Sequence, residues 1–508
     1  MTLKKISKFR WIIFFISLFI LVFSKLYSFN NLILNVDEIE WIYCLNRCYE
    51  NPIPFLGFDA HTTGPLAIYF LLPLKMVINN VELMHLRIYN FLVFIVPSLF
   101  IVYKVFEGKY SYLSLFIFSS LFLIYNKDFL SYNSEYPIIL LVSLFIYFLT
   151  RSVISNVKIT ILVSIIILLP FIKFQAILLS LFFLGIFFWK LYLQKKRLIK
   201  YSLILFLCWI LVLGILIKFF IGFELFFYSY ILRNIQYAAS FSSKSWSVAI
   251  IENLNYHIQF FLPYYILIFG IAILIFIKYY KRIISFIKEY NSIEQFNFIT
   301  FLGLFIVSFI SILIPKNNFV HYFIIMFPAI VFLLVFLLKN FDISSGNLII
   351  LICLLNTNLF QFIFQSQQDV FIKGNQKSRL FYEQYTISSK LVKEVNNQVC
   401  SGNIKKSLVI LGWFNALPIY YKYKHQFDFP YRSGHADFLV SSSYLSDKKF
   451  FNFEMDNLVS DLKNGKTAII DVENVLTKIK SKRFKLYLHE NFHVVKETEF
   501  YTLLLPKN

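Results

Sequence analysis

Long uncharged apolar runs constrain this chain more than any other feature of its sequence. Ile159–Phe171 and Leu203–Ile217 contain no charged residue, in a chain of 508 residues that is 58% hydrophobic and only 15% charged. A soluble globular protein has roughly 45–50% apolar and about 25% charged residues, and cores of ordinary size could not bury the apolar surface found here. The same composition excludes intrinsic disorder. The sequence therefore predicts a polytopic membrane protein.

The excess of positive charge is explained by membrane topology. The chain has 49 Lys and Arg residues against 28 Asp and Glu residues, which gives a formal net charge of +21. In a soluble protein this excess would suggest nucleic acid as a partner. The cytoplasmic loops of membrane proteins, however, collect Lys and Arg. We therefore expect no nucleic-acid partner, and we expect membrane lipids with anionic headgroups to interact with part of this charge.

The five cysteines predict no disulfide framework. Cys208 and Cys353 lie in apolar runs, where cysteine behaves as a small hydrophobic residue. Cys44 and Cys48 are one helical turn apart, and this spacing is poorly suited to a disulfide. A metal role for this pair stays open, although no second Cys/His pair has zinc spacing.

The N-terminal segment predicts a first membrane helix with a cytoplasmic N-terminus. Basic residues precede the apolar run Trp11–Ser24 and no small-residue cleavage site follows it, so we expect an uncleaved helix rather than a signal peptide. Residues 30–64 then form a first external loop. Leu66–Ile78 is too short to cross, because a span needs about 20 apolar residues, and we expect an interfacial or re-entrant segment there.

Without a crossing at Leu66–Ile78, the positive-inside rule predicts about eleven crossings and an external C-terminus. If that segment crossed, the strongest basic cluster, Lys190 with Lys195–Lys200, would lie on the wrong side of the membrane. The crossings predicted after the first are Leu83–Tyr103, Leu113–Tyr125, Pro137–Leu149, Thr160–Phe171, Phe174–Trp189, Leu203–Ile221, Tyr256–Ile277, Phe298–Ile314, Tyr322–Leu338 and Leu348–Ile363.

The last part of the chain has the pattern of a soluble α/β domain. We expect residues 1–375 to form the transmembrane bundle and residues 376–508 to form a small external domain. The predicted fold class is mainly α, a polytopic transmembrane helix bundle with a small external C-terminal α/β domain. The predicted strands are Ser407–Leu411, Thr467–Asp471 and the closing hairpin His493–Val495 with Phe500–Leu504, and the predicted helices are Asn415–Lys424 and Met455–Lys463.

Ionisable residues beside the spans are concentrated on the predicted external face. Each costs on the order of 2.5–3.5 kcal/mol at a helix centre, so their convergence on one face suggests a site. A carboxylate can act as a general base. Cations, or a metal held by carboxylates and a His, can neutralise a departing phosphate. The acids are Asp37, Glu38, Asp59, Asp128 and Glu135, and the basic residues are His61, Arg87, Lys173, Arg233, His257 and His321.

Several motifs resemble the GT-C membrane glycosyltransferases, which implies a GT-C-like bundle. Asn35-Val-Asp37-Glu38 followed by His61-Thr-Thr-Gly-Pro65-Leu-Ala-Ile-Tyr69 is most similar to the branch with the lipid A aminoarabinose transferases and the protein O-mannosyltransferases. Gly64-Pro65 stands where that branch has two prolines, and Glu135 stands where Asp is commoner, with Asp128 as a rival. Further matches are Leu86-Arg87-Ile88, Ser134-Glu135-Tyr136, Pro315-Lys-Asn-Asn-Phe-Val-His321-Tyr322-Phe, and Gly412-Trp413 with Leu417-Pro418-Ile-Tyr420.

The resemblance implies transfer of a sugar from a polyprenyl-phosphate-sugar to a lipid, glycan or protein acceptor outside the cytoplasmic membrane. It implies Asp37 as the base or as a metal-linked acid, with Glu38 beside it and Glu135 as the second acid. Leu66–Ile78 would line the groove for the isoprenoid. A divalent cation held by Asp37, Glu135 and His61 would be the one cofactor. The expected donor-phosphate contacts, from position and charge alone, are His61, Lys173, Arg233 and Arg87, and the further candidates are His321, Tyr322 and Asp128.

Two other classes stay open from the sequence. A polysaccharide polymerase or ligase with a lipid-pyrophosphate donor would share the external site but should depend on Arg. A lipid-linked sugar transporter or flippase would need polar residues at the membrane midplane and broken helices in paired halves. The sequence contains no Gly-rich phosphate cradle, P-loop or Gly-x-Ser-x-Gly, so nucleotide-driven and serine-hydrolase chemistries are unsupported.

Overall fold

The computed structural model divides the chain into two compact units, which are described separately. The helical unit contains Met1–Leu34, Thr62–Phe223 and Phe241–Ser366, and the second unit contains Asn35–His61, Glu224–Ser240 and Gln367–Asn508. The structure describes residues 3–26, 28–29, 35, 37–55, 57–58, 63–124, 126–150, 154–194, 196–235, 245–288, 293–316, 319–341, 397, 408–411, 459, 462, 467–471, 475–478, 482–497 and 501–507.

Helices make up the described part of the helical unit. Pro97 has no backbone N–H to donate, and the helix before it widens into the π-helical segment Phe91–Ile95. In chain order the helices are Leu3–Leu26, Pro65–Tyr69, Leu72–Val77, Leu83–Asn90 with Phe91–Ile95 and Val96–Val105, Lys109–Leu121, Lys127–Leu130, Glu135–Thr150, Asn156–Ile172, Phe174–Ala176 with Ile177–Gln194, Lys196–Leu216 with Ile217–Ile221, Trp246–Lys288, Ile293–Leu313, and Val320–Ile325 with Met326–Phe341.

Six helical stretches in the described residues are long and apolar enough to cross a membrane. They are Leu83–Val105, Phe174–Gln194, Ile199–Ile221, Trp246–Ile271, Glu294–Leu313 and Val320–Lys339. The shorter apolar helices are Trp11–Leu26, Pro65–Val77, Glu135–Thr150 and Asn156–Ile172. The predicted mainly helical class with membrane helices is therefore confirmed at this level. The count of eleven crossings stays a prediction, and the predicted span Leu348–Ile363 lies outside the described residues.

Two of the membrane-length helices occupy opposite extremes of the packing. The most apolar window of Val320–Lys339 is 89% buried inside the protein, whereas the corresponding window of Ile199–Ile221 is 0% buried. Val320–Lys339 therefore lies at the centre of the helical unit and Ile199–Ile221 at its periphery. Exposed large apolar side chains such as Leu207 and Leu211 cover that peripheral helix, and lipid is the solvent that suits them.

The segment predicted to be re-entrant, Leu66–Ile78, consists of two short helices. Pro65 occupies the start of Pro65–Tyr69, and Pro73 lies in the first turn of Leu72–Val77. Proline is accepted in a first turn because the N–H it lacks has no intrahelical partner there, but it interrupts a helix interior. Pro73 therefore divides the apolar run, and neither helix is long enough to span a bilayer.

The described residues of the second unit include a four-stranded sheet. The strands are β1 (Leu408–Leu411), β2 (Ala468–Asp471), β3 (Phe492–Glu497) and β4 (Thr502–Pro506). Their order is β1-β2-β4-β3, with β1 parallel to β2 and the other pairs antiparallel. Helix Lys482–Asn491 places Phe484 and Leu488 against the apolar face of the sheet.

The predicted strands of the C-terminal region are confirmed. Ser407–Leu411 and Thr467–Asp471 correspond to β1 and β2, and the closing hairpin corresponds to β3 and β4. The helix predicted at Asn415–Lys424 lies outside the described residues. Within Met455–Lys463 only Val459 and Leu462 are described, and both are helical. The predicted domain boundary between residues 375 and 376 stays a prediction.

Candidate functional site

Lys173 is the centre of a buried polar cluster in the helical unit. It ends helix Asn156–Ile172 in an extended backbone conformation, with φ −154° and ψ 132°, at the turn into the next helix. Its ammonium forms a salt bridge with Oε1 of Glu135 and donates to Oγ of Ser134 at 3.3 Å. The two ionised side chains are almost fully buried, with 6% and 0% of their area exposed. Both charges are removed from water, so each is stabilised by the opposite charge of the other.

The His61-Thr-Thr-Gly-Pro motif reaches this turn through its backbone. Thr63 forms an antiparallel bridge with Lys173, and the N–H of Gly64 donates to the carbonyl of Ile172 at 2.9 Å. Pro65 then begins the next short helix. The motif is therefore anchored beside the ammonium-bearing residue, although His61 itself lies outside the described residues.

The His-Tyr motif contributes an aromatic face to Lys173. The ammonium lies 4.3 Å from the centroid of the Tyr322 ring, within the range of a cation–π interaction. His321 packs edge-to-face on the same ring, with centroids 4.6 Å apart and an interplanar angle of 86°. Both residues belong to the 3-10 segment Val320–Ile325. This segment therefore adds an aromatic contact to the lysine, which also has the carboxylate contact from Glu135.

The loop before Glu135 explains which of two rival acids reaches the lysine. Asn126 caps the short helix Lys127–Leu130, and the carbonyl of Asp128 accepts hydrogen bonds from Ser131 at 3.0 Å and from Asn133 at 2.6 Å. Asp128 thus shapes the loop through its backbone. Glu135 begins the following helix, and its carboxylate is the one on Lys173.

Tyr132 is a neighbour of the pair that sequence reasoning missed. It lies in the same loop and its side chain is fully buried. Burial, with added repulsion from the charges of Tyr89 and Glu135, raises the pKa of the Tyr132 phenol well above its usual value. The phenol therefore stays neutral near Glu135 at physiological pH. No local pattern marks this tyrosine, because aromatic residues make up 20% of the chain.

Arg87, an expected phosphate contact, donates from its guanidinium to the carbonyl of Ser28 at 2.8 Å and is only 2% exposed. Sequence reasoning missed its counterpart, Lys25, which is equally buried. Lys25 donates to the carbonyl of Phe129 at 2.9 Å and to the hydroxyl of Tyr136 at 3.3 Å. Its position at the end of an apolar run was the available signal. Together these two cations attach the end of the first helix to neighbouring helices.

Of the remaining candidates, His257 lies on helix Trp246–Lys288 of the helical unit, and the others lie in the second unit or outside the described residues. Residues 30–64, predicted to be a loop, include helix Asp37–Glu50, whose first turn carries Asp37, Glu38 and Glu40. Acidic residues stabilise a helix at this end, because the helix dipole is positive there. Glu38 is fully buried, and Arg233 is 4% exposed after the π-helical segment Phe227–Leu232. Asp59 and His61 lie outside the described residues.

The Lys173 cluster does not fit a divalent cation. The lysine ammonium already occupies the carboxylate of Glu135, and a cation of like charge would be repelled from it. Among the residues that the structure describes, no group of three or more His, Cys, Asp and Glu side chains is placed to hold a metal ion. His61 lies outside the described residues, so the predicted metal set of Asp37, Glu135 and His61 stays a prediction.

Comparisons with protein-family models, with curated proteins and with solved structures found no match. In the part that the structure describes, the chain is mainly helical with six helices able to cross a membrane, and it has a buried lysine–carboxylate pair at a turn between two helices.

Proposed function

We propose that the protein is a GT-C-like membrane glycosyltransferase that uses a polyprenyl-phosphate-sugar donor. One observation carries this proposal: three motifs that are distant in the sequence meet at Lys173. They are Thr63-Gly64, Ser134-Glu135 and His321-Tyr322. These motifs also carry the resemblance to that class of enzymes, so their convergence on one cation supports a shared phosphate site.

The Lys173 cluster suits stabilisation of a departing phosphate. The reaction leaves negative charge on the phosphate oxygen as the sugar departs, and a fixed cation beside that oxygen lowers the barrier. Burial strengthens this effect, because the effective dielectric constant falls well below that of water. Tyr322 supports the lysine from its ring face, so the cation has a defined position.

The proposed transfer balances without a cofactor. An acceptor hydroxyl oxygen bonds to the anomeric carbon of the sugar, and the bond from that carbon to the phosphate oxygen breaks. Polyprenyl phosphate leaves with the bonding electron pair, and Lys173 stabilises it. The hydroxyl proton passes to a base, which the resemblance assigns to Asp37, with Glu38 beside it. The acceptor is a lipid, glycan or protein of the cell envelope.

The proposal includes a topology. We place the chain in the cytoplasmic membrane with about eleven crossings, and we place residues 376–508 outside the cytoplasm, because this arrangement puts the basic clusters inside. A reporter that is active only in the cytoplasm, fused after Asn508, should stay silent. Strong reporter activity there would invert the proposed active face.

The location of the ion pair argues against a transporter. A transporter binds its substrate near the bilayer midplane, usually at broken helices. Lys173 lies instead at the turn that connects two apolar helices, and Glu135 begins a third. A lipid-pyrophosphate ligase would share such a site, and only a comparison of monophosphate and pyrophosphate donors distinguishes the two classes.

A transfer assay tests the function. Purified protein in lipid nanodiscs receives a panel of synthetic polyprenyl-phosphate-sugars together with a cell-envelope extract as the source of acceptor. The pyrophosphate analogues form a second arm, and release of polyprenyl phosphate or polyprenyl pyrophosphate is measured. Asp37→Asn should lower turnover about 100- to 10,000-fold, the usual cost of removing a general base. Lys104→Met removes an exposed lysine and should leave turnover unchanged. Wild-type turnover in Asp37→Asn would place the base elsewhere, and transfer only from pyrophosphate donors would assign the ligase class.

A further inference from the structure

A donor phosphate has to compete with Glu135 for the ammonium of Lys173. The Lys173 ammonium is saturated by the carboxylate of Glu135, the hydroxyl of Ser134 and the ring of Tyr322. A lysine ammonium has only three N–H donors. A phosphate can therefore reach this cation only by replacing one of its present partners.

We propose that Glu135 is a displaceable placeholder for the donor phosphate. In this inference, which rests on the proposed function, the phosphate group of a polyprenyl-linked ligand takes the position of the carboxylate on Lys173. Glu135 is released from its salt bridge at the same moment. No covalent bond changes in this step, because only hydrogen bonds and an ion pair are exchanged.

Glu135 is the partner best placed to leave. It is the first residue of helix Glu135–Thr150, where the positive end of the helix dipole stabilises a negative charge without any help from Lys173. Phosphate carries at least one full charge and offers several acceptor oxygens, so it replaces the carboxylate with an equally strong hydrogen-bonding partner. Ser134 and Tyr322 offer neutral contacts that remain compatible with either anion.

The backbone at Lys173 stays fixed while the partners exchange. The Thr63 bridge and the hydrogen bond from Gly64 to Ile172 hold the turn. The flexible lysine stem permits movement of the ammonium alone, and the Tyr322 ring keeps it close to its present position. Donor binding would then convert a carboxylate that is neutralised by lysine into one that is available to the acceptor or the sugar.

The test measures binding of a short-chain polyprenyl monophosphate to the full-length protein in nanodiscs. Glu135→Gln removes the competing charge and keeps the shape of the side chain, so affinity should rise roughly ten-fold or more, the scale of one charge-assisted hydrogen bond. The uncharged polyprenol should bind both proteins equally. An affinity for the monophosphate that is unchanged or lower in Glu135→Gln overturns the proposal.

Further arms identify the ligand and guard against misfolding. Inorganic phosphate should gain affinity in Glu135→Gln in the same direction but bind more weakly, because it lacks the chain. The double variant Lys173→Met/Glu135→Gln carries no buried charge at this site and should lose the gain; retention of the gain would show that Lys173 is not the binding cation. If the affinity shift occurs and no sugar is transferred, the proposed function fails alone, whereas transfer without the shift overturns this inference alone.

Discussion

Two buried lysines at the two ends of one helix are stabilised in different ways. Lys173 precedes helix Phe174–Gln194 and Lys190 lies near its end, roughly 25 Å away at 1.5 Å per residue. The two lysines are buried to a similar degree, with 4% and 3% of their area exposed, and both lie over an aromatic ring. In the described part of the chain, only Lys173 also has a carboxylate partner, since the contact of Lys190 is the ring of Phe296 at 4.7 Å.

The difference suggests that Lys173 can bind an anion, whereas Lys190 contributes only to packing. An aromatic face stabilises a cation by about 0.5–2 kcal/mol and holds no exchangeable anion. A carboxylate binds it much more strongly when both are buried, and a ligand anion can compete for that position. The comparison therefore predicts that loss of the charge destabilises the protein much more at Lys173 than at Lys190.

The largest effect should follow loss of the Lys173 charge. Lys173→Met leaves the carboxylate of Glu135 buried without its partner, and such an orphaned charge typically costs about 3–5 kcal/mol. Unfolding of the detergent-solubilised protein, followed by intrinsic fluorescence in increasing denaturant, should show a large loss of stability. Adding Glu135→Leu to Lys173→Met should restore most of it. A single variant as stable as the wild type would mean that the pair is not formed in the folded protein.

An intermediate loss of stability should follow a substitution that crowds the helix between the two lysines. A Cβ at Gly303, on the facing helix Ile293–Leu313, would lie 2.5 Å from the ring of Phe182. Gly303→Ala should therefore cost about 1–3 kcal/mol, the usual cost of overpacking. Gly185→Ala is the matched control, because a Cβ there meets nothing within 4 Å, and it should be neutral or stabilising through its helix propensity. Equal melting temperatures for the two variants would contradict the described packing of these helices.

The sequence predicted the helices better than the site because the two depend on different information. The span at Phe174–Gln194 follows from the length of an apolar run, and the strand Ala468–Asp471 from a short buried run, both of which are local. Lys173 and Glu135 were each identified, but their pairing depends on which helix ends meet, and no local pattern reports that. Lys25 was missed for the same reason, since its partners are far along the chain.

Removal of the Lys190 charge should have a small effect on stability. Lys190→Met keeps much of the volume of the side chain and removes a charge whose described contact is a ring face, so the loss of cation–π energy is offset by the removal of a desolvated cation. We expect the free energy of unfolding to change by less than about 1.5 kcal/mol, as for other volume-conserving core changes. A loss as large as that in Lys173→Met would show that Lys190 also has an anionic partner.

The smallest effect concerns a third buried ionisable group, the thiol of Cys48 in the second unit. Burial raises the pKa of Cys48 to about 12, because the thiolate is the form that burial disfavours. Like Lys190, it is a buried group with no strong counter-charge among the residues that the structure describes. The thiol stays protonated over the physiological range, and its titration, confined to strongly alkaline pH, leaves stability unchanged near pH 7.

Alkylation follows the thiolate fraction, so a variant that retains only Cys48 should react at pH 8 about 1,000-fold more slowly than the same variant in denaturant. The measurement is the rate of mass addition by iodoacetamide, and its logarithm should rise linearly with pH up to at least pH 10. A plateau near pH 9 would mean that Cys48 is an ordinary solvated thiol and that helix Asp37–Glu50 is less buried than described.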